Sequence, residues 1–104
     1  MRTLNFVVTG QNIKKSPDCD FSNIVAGSVG YLQAAFKFSE DWEGCVKVAS
    51  FWLDNEEHAV RLDENDACVI PSEVLVGERF SVSVTGAKNN YKIKSTKTKV
   101  RQEV

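Results

Sequence analysis

One histidine, three cysteines and two tryptophans are the side chains of this 104-residue sequence with the most specialised chemistry to offer. His58 stands alone, while Cys19, Cys45 and Cys68 are spread along the chain. A nucleophilic thiol needs a base within hydrogen-bond reach, and no spacing assigns one of the cysteines to the histidine. No CxxC pair occurs, so neither a zinc ribbon nor a dithiol redox motif is written here. An odd count leaves at least one thiol unpaired, and all three are expected to act as small, buried apolar side chains in a reducing compartment. GxSxG, HExxH, P-loop and dinucleotide-binding fingerprints are absent. The expectation is a protein with no catalytic residue, no metal and no cofactor.

The carboxylates offer a second chemistry. Asp63, Asn65 and Asp66, and separately Asp54, Glu56 and Glu57, group oxygen donors as a calcium loop would. The EF-hand spacing fails, because Ala67 and Cys68 follow and the required glycine is missing. Solvated turns are the simpler reading. The tryptophans could stack on a sugar. Trp42, however, falls in a turn-like segment, where an indole more often plugs the open end of a core.

Charge is balanced overall, at −1, which argues against a general polyanion binder. Along the chain it is not balanced: residues 1–37 carry +2, residues 38–78 carry −9 and residues 79–104 carry +6. Lys92 and Lys94 share one parity, and Lys97, Lys99 and Arg101 share the other, so each set decorates one face of a strand. Lysines on an edge strand block edge-to-edge pairing. Only Tyr91 interleaves with them, which is no stacking platform, so nucleic acid is not expected as a partner. A sharper reading is a dipolar molecule that docks on its own kind or on a partner.

The elements that must position these residues are strands. LNFVVT (4–9) is β-branched and aromatic, with Gly10 as a breaker; residues 11–20 read as a loop containing Pro17. FSNIVAG (21–27) reads as a possible short strand. In VGYLQAAFKF (29–38), Leu32, Ala34, Phe36 and Phe38 alternate with Gln33, Ala35 and Lys37. SEDWEG (39–44) reads as a turn, and CVKVASFWL (45–53) as the return strand of an antiparallel hairpin. That strand is apolar on both parities, which leaves its inward face undecided and suits a central or covered position. Short strands over 58–62 and 67–70 follow, then one helical turn near 71–76 entered at Pro71 and left at Gly77. RFSVSVTG (79–86) alternates cleanly, and residues 91–104 supply one or two closing strands. With about eight short strands and turn signals every eight to twelve residues, the expected fold is a single-domain, all-β, Ig-like antiparallel sandwich over residues 1–104, with a small barrel as runner-up.

The hairpin FKFSEDWEGCVKVASFW, the turn IPSEVL and the strands FSVSVTGA and YKIKSTKTKV together resemble small proteins from the tail-gene regions of phages and prophages of Gram-positive bacteria. They are also similar to the amino-terminal β-sandwich domain of upper baseplate proteins. The positions that carry the resemblance are Phe38, Ser39, Trp42, Gly44, Lys47, Ala49 and Phe51, then Ile70, Pro71, Glu73, Val74 and Leu75. Ser39, Trp42, Gly44 and Pro71 are structural turn residues in this pattern. The resemblance implies a non-enzymatic tail or baseplate structural or assembly protein that works through contacts with other tail proteins or with itself. Phe51, Trp52, Lys92, Lys94, Lys97 and Lys99 are the candidate interaction residues. A small carbohydrate-binding module using an exposed tryptophan is the alternative. No apolar stretch reaches the ~20 residues of a membrane span, and the start MRTLNFVVTG is too short in apolar residues for a signal peptide. Cytoplasmic synthesis is therefore expected, and the resemblance implies association with the virion tail.

Overall fold

The computed structural model describes residues 1–104 as nine strands and two 3-10 turns. The first sheet has the order β2 (Asn12–Lys15), β1 (Arg2–Thr9), β3 (Leu32–Phe38), β6 (Ala67–Val69). The second runs β5 (Glu56–Arg61), β4 (Val46–Leu53), β7 (Arg79–Lys88), β8 (Tyr91–Lys94), and β9 (Thr98–Arg101) pairs with the other half of β7. The sheets pack face to face, so the expected all-β sandwich is the architecture of the chain. Pairing is antiparallel except for β1 and β3, which run parallel from Arg2↔Leu32 to Val8↔Phe38. A parallel pair needs a long return connection, and β2 with residues 16–31 supplies it. No helix is long and apolar enough to cross a membrane.

Period-two alternation builds the core. Leu4, Phe6 and Val8, then Leu32, Ala34 and Phe36, face Ala49, Phe51, Phe80, Val82 and Val84 across the gap, all buried. An aromatic run threads the layer: Phe21 to Phe6 at 5.5 Å between centroids, Phe6 to Phe36 at 5.3 Å, Phe36 to Phe38 at 5.9 Å, and Phe38 to Trp42 at 5.0 Å. These separations are those of favourable aromatic pairs.

The expected hairpin of 29–38 with 45–53 does not form. β3 lies in the first sheet and β4 in the second, so residues 39–45 cross between sheets. The reason is Trp42. The 3-10 turn Glu40–Trp42 drops the indole between the layers, where it is fully buried and its Nε1–H donates to the Gly10 carbonyl at 2.8 Å. Ser39 Oγ accepts the Gly10 N–H at 3.0 Å, and Gly44 takes a positive φ of 76° that lets the chain turn out again into β4. The turn residues singled out in the sequence thus close one end of the sandwich. Pro71 precedes the second 3-10 turn, Ser72–Val74, inside the expected 71–76 segment.

Two other expectations are corrected. The loop read over 11–20 contains strand β2, which has a single inward apolar residue, Ile13, and so gives almost no hydrophobic signal. The possible strand at 21–27 is irregular apart from one bridge, Val25↔Glu103. The Arg2 guanidinium holds it there by donating to the carbonyls of Asp20, Ser22 and Asn23 at 3.0, 2.6 and 2.9 Å. Those bonds capture backbone acceptors that a ladder would otherwise have used.

Candidate interaction face

The ambiguity of strand 45–53 is resolved by its neighbours. β4 lies between β5 and β7, a central position in its sheet. Phe51 is buried in the core, whereas Trp52 is on the opposite face. Phe51 therefore leaves the set of candidate contact residues, because it has no accessible surface to offer. The outer face of this sheet is built from Val48, Ser50 and Trp52 on β4, Ser81, Ser83 and Thr85 on β7, and Glu57, Ala59 and Arg61 on β5, as the strand register places them. Most of these side chains are short, and Ser50 and Ser83 in the middle of the face are buried by their longer neighbours. Trp52 Nε1–H donates to Ser83 Oγ at 3.0 Å, and Ser50 Oγ–H donates to the Glu57 carboxylate.

A bulge decides where the lysines go. Lys94 pairs with Thr85 and Thr98 with Val82, so residues 95–97 span the distance covered by residues 83–84 on β7. One extra residue in an edge strand is a β-bulge, and it shifts the side-chain parity by one. Before it, even-numbered residues face outward; after it, odd-numbered ones do. Lys92 and Lys94 of β8 and Lys99 and Arg101 of β9 consequently share the outer face, opposite Ala87, Thr85, Ser81 and Arg79. Without the bulge the two basic sets would lie on opposite faces of the sheet.

Hydrogen bonds hold the bulge in place. The Ser95 N–H donates to the Val84 carbonyl at 3.0 Å, and the Val84 N–H to Ser95 Oγ at 2.9 Å. The Thr96 N–H donates to the Gln11 carbonyl at 2.8 Å, Ile13 N–H to Thr96 Oγ1 at 3.3 Å, and Gln11 Nε2 to the Lys94 carbonyl at 3.1 Å. The edge of the second sheet is thereby tied to the β1–β2 hairpin of the first.

Lys97, at the end of the bulge, places its ammonium 3.7 Å from the centroid of the Trp52 ring. That cation–π contact covers the indole with a charged group, so a sugar stacking there would first have to displace Lys97. Trp42 has no exposed surface at all. Lys47 and Asp66 form an ion pair at 3.1 Å, and His58 Nε2 lies within hydrogen-bond distance of the Glu56 carboxylate at 2.9 Å. Lys92, Lys94, Lys97, Lys99 and Arg101 therefore form a row of cations, none of them in an ion pair.

The remaining chemical candidates are dispersed. His58 hydrogen-bonds Glu56 and no thiol. No group of three His, Cys, Asp or Glu side chains lies close enough to hold a metal ion. Asp63 Oδ1 accepts the N–H groups of Asn65 and Ala67 at 2.8 and 3.0 Å, and Asp66 is engaged by Lys47, so the acidic turn 63–66 satisfies itself. The three cysteines are unbridged.

Burial, reinforced by the charge of Asp63, pushes the Cys68 thiol up to about 12. The thiolate is the nucleophile, so Cys68 should resist alkylation at pH 8 in the folded protein and react on unfolding. The sign for stability follows. An unfolded thiol releases its proton near 9.0 while the folded one keeps it to about 12, so the folded state holds more protons in that window and stability falls as pH rises through it. Urea melts of wild type and Cys68→Ala should diverge in that direction above pH 9. Parallel pH profiles would show that another group carries the alkaline loss.

No protein-family model matches the chain, and no curated protein does either. The face is therefore characterised by its own geometry. The sequence pointed to Trp52 and to each lysine set, but not to their union. The signal for it was present: two basic runs of opposite parity separated by Ser95 and Thr96, residues that favour local side-chain-to-backbone bonds over a regular ladder.

Proposed function

We propose that this chain is a non-enzymatic structural or assembly component of a phage tail or baseplate, acting through protein–protein contacts made by the outer face of the second sheet. The observation that carries the proposal is the alignment of five cations, none in an ion pair, on one face by the 95–97 bulge, with Lys97 lying over Trp52. An acidic complement is available on the chain itself, whose residues 38–78 carry −9. A second copy or an acidic tail protein satisfies that face, and complementary fields orient the encounter. The resemblance of the 38–51 and 70–75 segments to tail-region proteins supports the biological setting. The carbohydrate-binding alternative retains Trp52 alone, and fluorescence titration with cell-wall sugars tests it.

Sedimentation velocity at high micromolar concentration tests the contact. Wild type should associate at ~50 mM salt and dissociate toward ~500 mM, where the screening length falls to a few ångströms. Lys92→Glu combined with Lys94→Glu and Lys97→Glu should remain monomeric under both conditions. A wild type that is strictly monomeric at low salt would remove self-association and leave a hetero-partner. An oligomer indifferent to salt and to the lysine reversals would overturn the charged face as its cause.

A further inference from the structure

A separate cluster lies where the edges of the two sheets meet. Lys15 ends β2 of the first sheet, while Arg79 opens β7 and Lys99 and Arg101 lie on β9 of the second. With Glu78 they line a cleft of about 240 Å³ that contains no apolar side chain. Arg79 and Arg101 are directly opposite each other in the antiparallel register. Like charges in that arrangement repel, and sheets normally avoid it. Neither arginine forms an ion pair, nor do Lys15 or Lys99; the one lysine or arginine ion pair of the chain is Lys47–Asp66. Lys15 rests its ammonium 5.6 Å from the Phe21 ring centroid. Four cations against one carboxylate leave the cleft at a formal +3.

We propose that this cleft binds a tetrahedral oxyanion of the phosphate class. Two guanidinium forks on adjacent strands present planar, paired N–H donors that match phosphate oxygens. Lys15 approaches from the other sheet and Lys99 lies along the same strand as Arg101, so the donors come from three strands. A doubly charged anion neutralises more of this field than a singly charged planar carboxylate, and it relieves the Arg79–Arg101 repulsion. The site shares Lys99 and Arg101 with the cation row of the outer face, but it needs no protein partner. Its two distinguishing residues, Lys15 and Arg79, belong to neither the Lys92–Lys94 pair nor the bulge.

The test is an NMR titration of the ¹⁵N-labelled protein with inorganic phosphate, with sodium chloride at matched ionic strength and acetate as controls. Phosphate should shift the Arg79 and Arg101 side-chain Nε–Hε signals and the amides of residues 78–80 and 99–102, saturably, where chloride and acetate do not. Arg79→Gln with Arg101→Gln should weaken phosphate binding by at least roughly tenfold, the loss of one or more charge-assisted contacts. Lys92→Gln with Lys94→Gln should change it less than about twofold, since screened surface charges outside the cleft contribute little. The arginine double variant should fold at least as stably as wild type in phosphate-free buffer, because it removes a repulsive pair. A methyl phosphate arm, a monoester that keeps the double charge, separates the sources: tighter binding of inorganic phosphate names the free ion, tighter binding of the monoester names an esterified phosphate. Shifts that chloride reproduces, or a double variant that binds phosphate as wild type does, would overturn the proposal.

Discussion

Trp42→Ala is expected to lower the free energy of unfolding by about 3–5 kcal/mol, the usual cost of truncating a buried large aromatic. The indole has no exposed surface, lies 5.0 Å from the Phe38 ring and closes the aromatic run that begins at Phe21. Its removal opens a cavity where the chain crosses between sheets, and the crossing exists to bury that ring. The Gly10 carbonyl also loses its donor. Trp42→Phe separates the two effects: it keeps most of the volume and drops the hydrogen bond, so a smaller loss is expected, with about 1 kcal/mol from the bond itself. Domains of this size are stable by roughly 5–15 kcal/mol, so the alanine variant forfeits a large share. Urea denaturation checks it through a lower midpoint at unchanged slope. A loss under ~1 kcal/mol for the alanine variant would mean that the indole is not the plug.

What could be read from the residues, and what could not, follows from how local each determinant is. Alternation at 32–38 and 79–86 is a local property, and both segments are strands with the expected side facing in. The Ser39–Gly44 turn was legible as a turn for the same reason. Its meaning was not: alternation at 32–38 and 46–53 is the same whether the two strands pair as a hairpin or lie in opposite sheets. That choice is made by a single non-local fact, the fit of Trp42 between the layers and beneath Gly10. The double-sided apolar pattern of 45–53 has a similar origin. Phe51 belongs to the core, while Trp52 belongs to an outer face where Ser83 bonds its N–H and Lys97 covers its ring. A long lysine stem shields such a ring while its charge stays near water, and no sequence window of one strand contains that partner. The basic face was hidden more deeply. Parity counting divides Lys92 and Lys94 from Lys97 and Lys99, and only the extra residue at 95–97 reunites them.

Gly86→Ala is expected to destabilise the fold by about 1–3 kcal/mol, an overpacking cost rather than a backbone one. Gly86 lies in β7 with no positive φ, so its own conformation would accept a side chain. At an unobstructed site the substitution would even stabilise, by roughly 0.4–1 kcal/mol, because it narrows the unfolded ensemble. Here the added Cβ would stand 2.8 Å from Trp42 Cε3, 3.0 Å from Cζ3 and 3.1 Å from Cys45 Cβ. The ring cannot retreat, because its Nε1–H is fixed to Gly10 and its other side meets Phe38. This makes a double-mutant cycle with Trp42→Ala decisive. Once the indole is gone, only the 3.1 Å approach to Cys45 Cβ remains, and the same Gly86→Ala change should cost much less. The coupling energy between the two positions should then be of the order of 1–3 kcal/mol, as for residues in direct contact. Urea melts of the four proteins measure it. Equal costs of Gly86→Ala in both backgrounds would show that the strand does not pack against the indole, and the account of Trp42 as the closure between the sheets would fall with it.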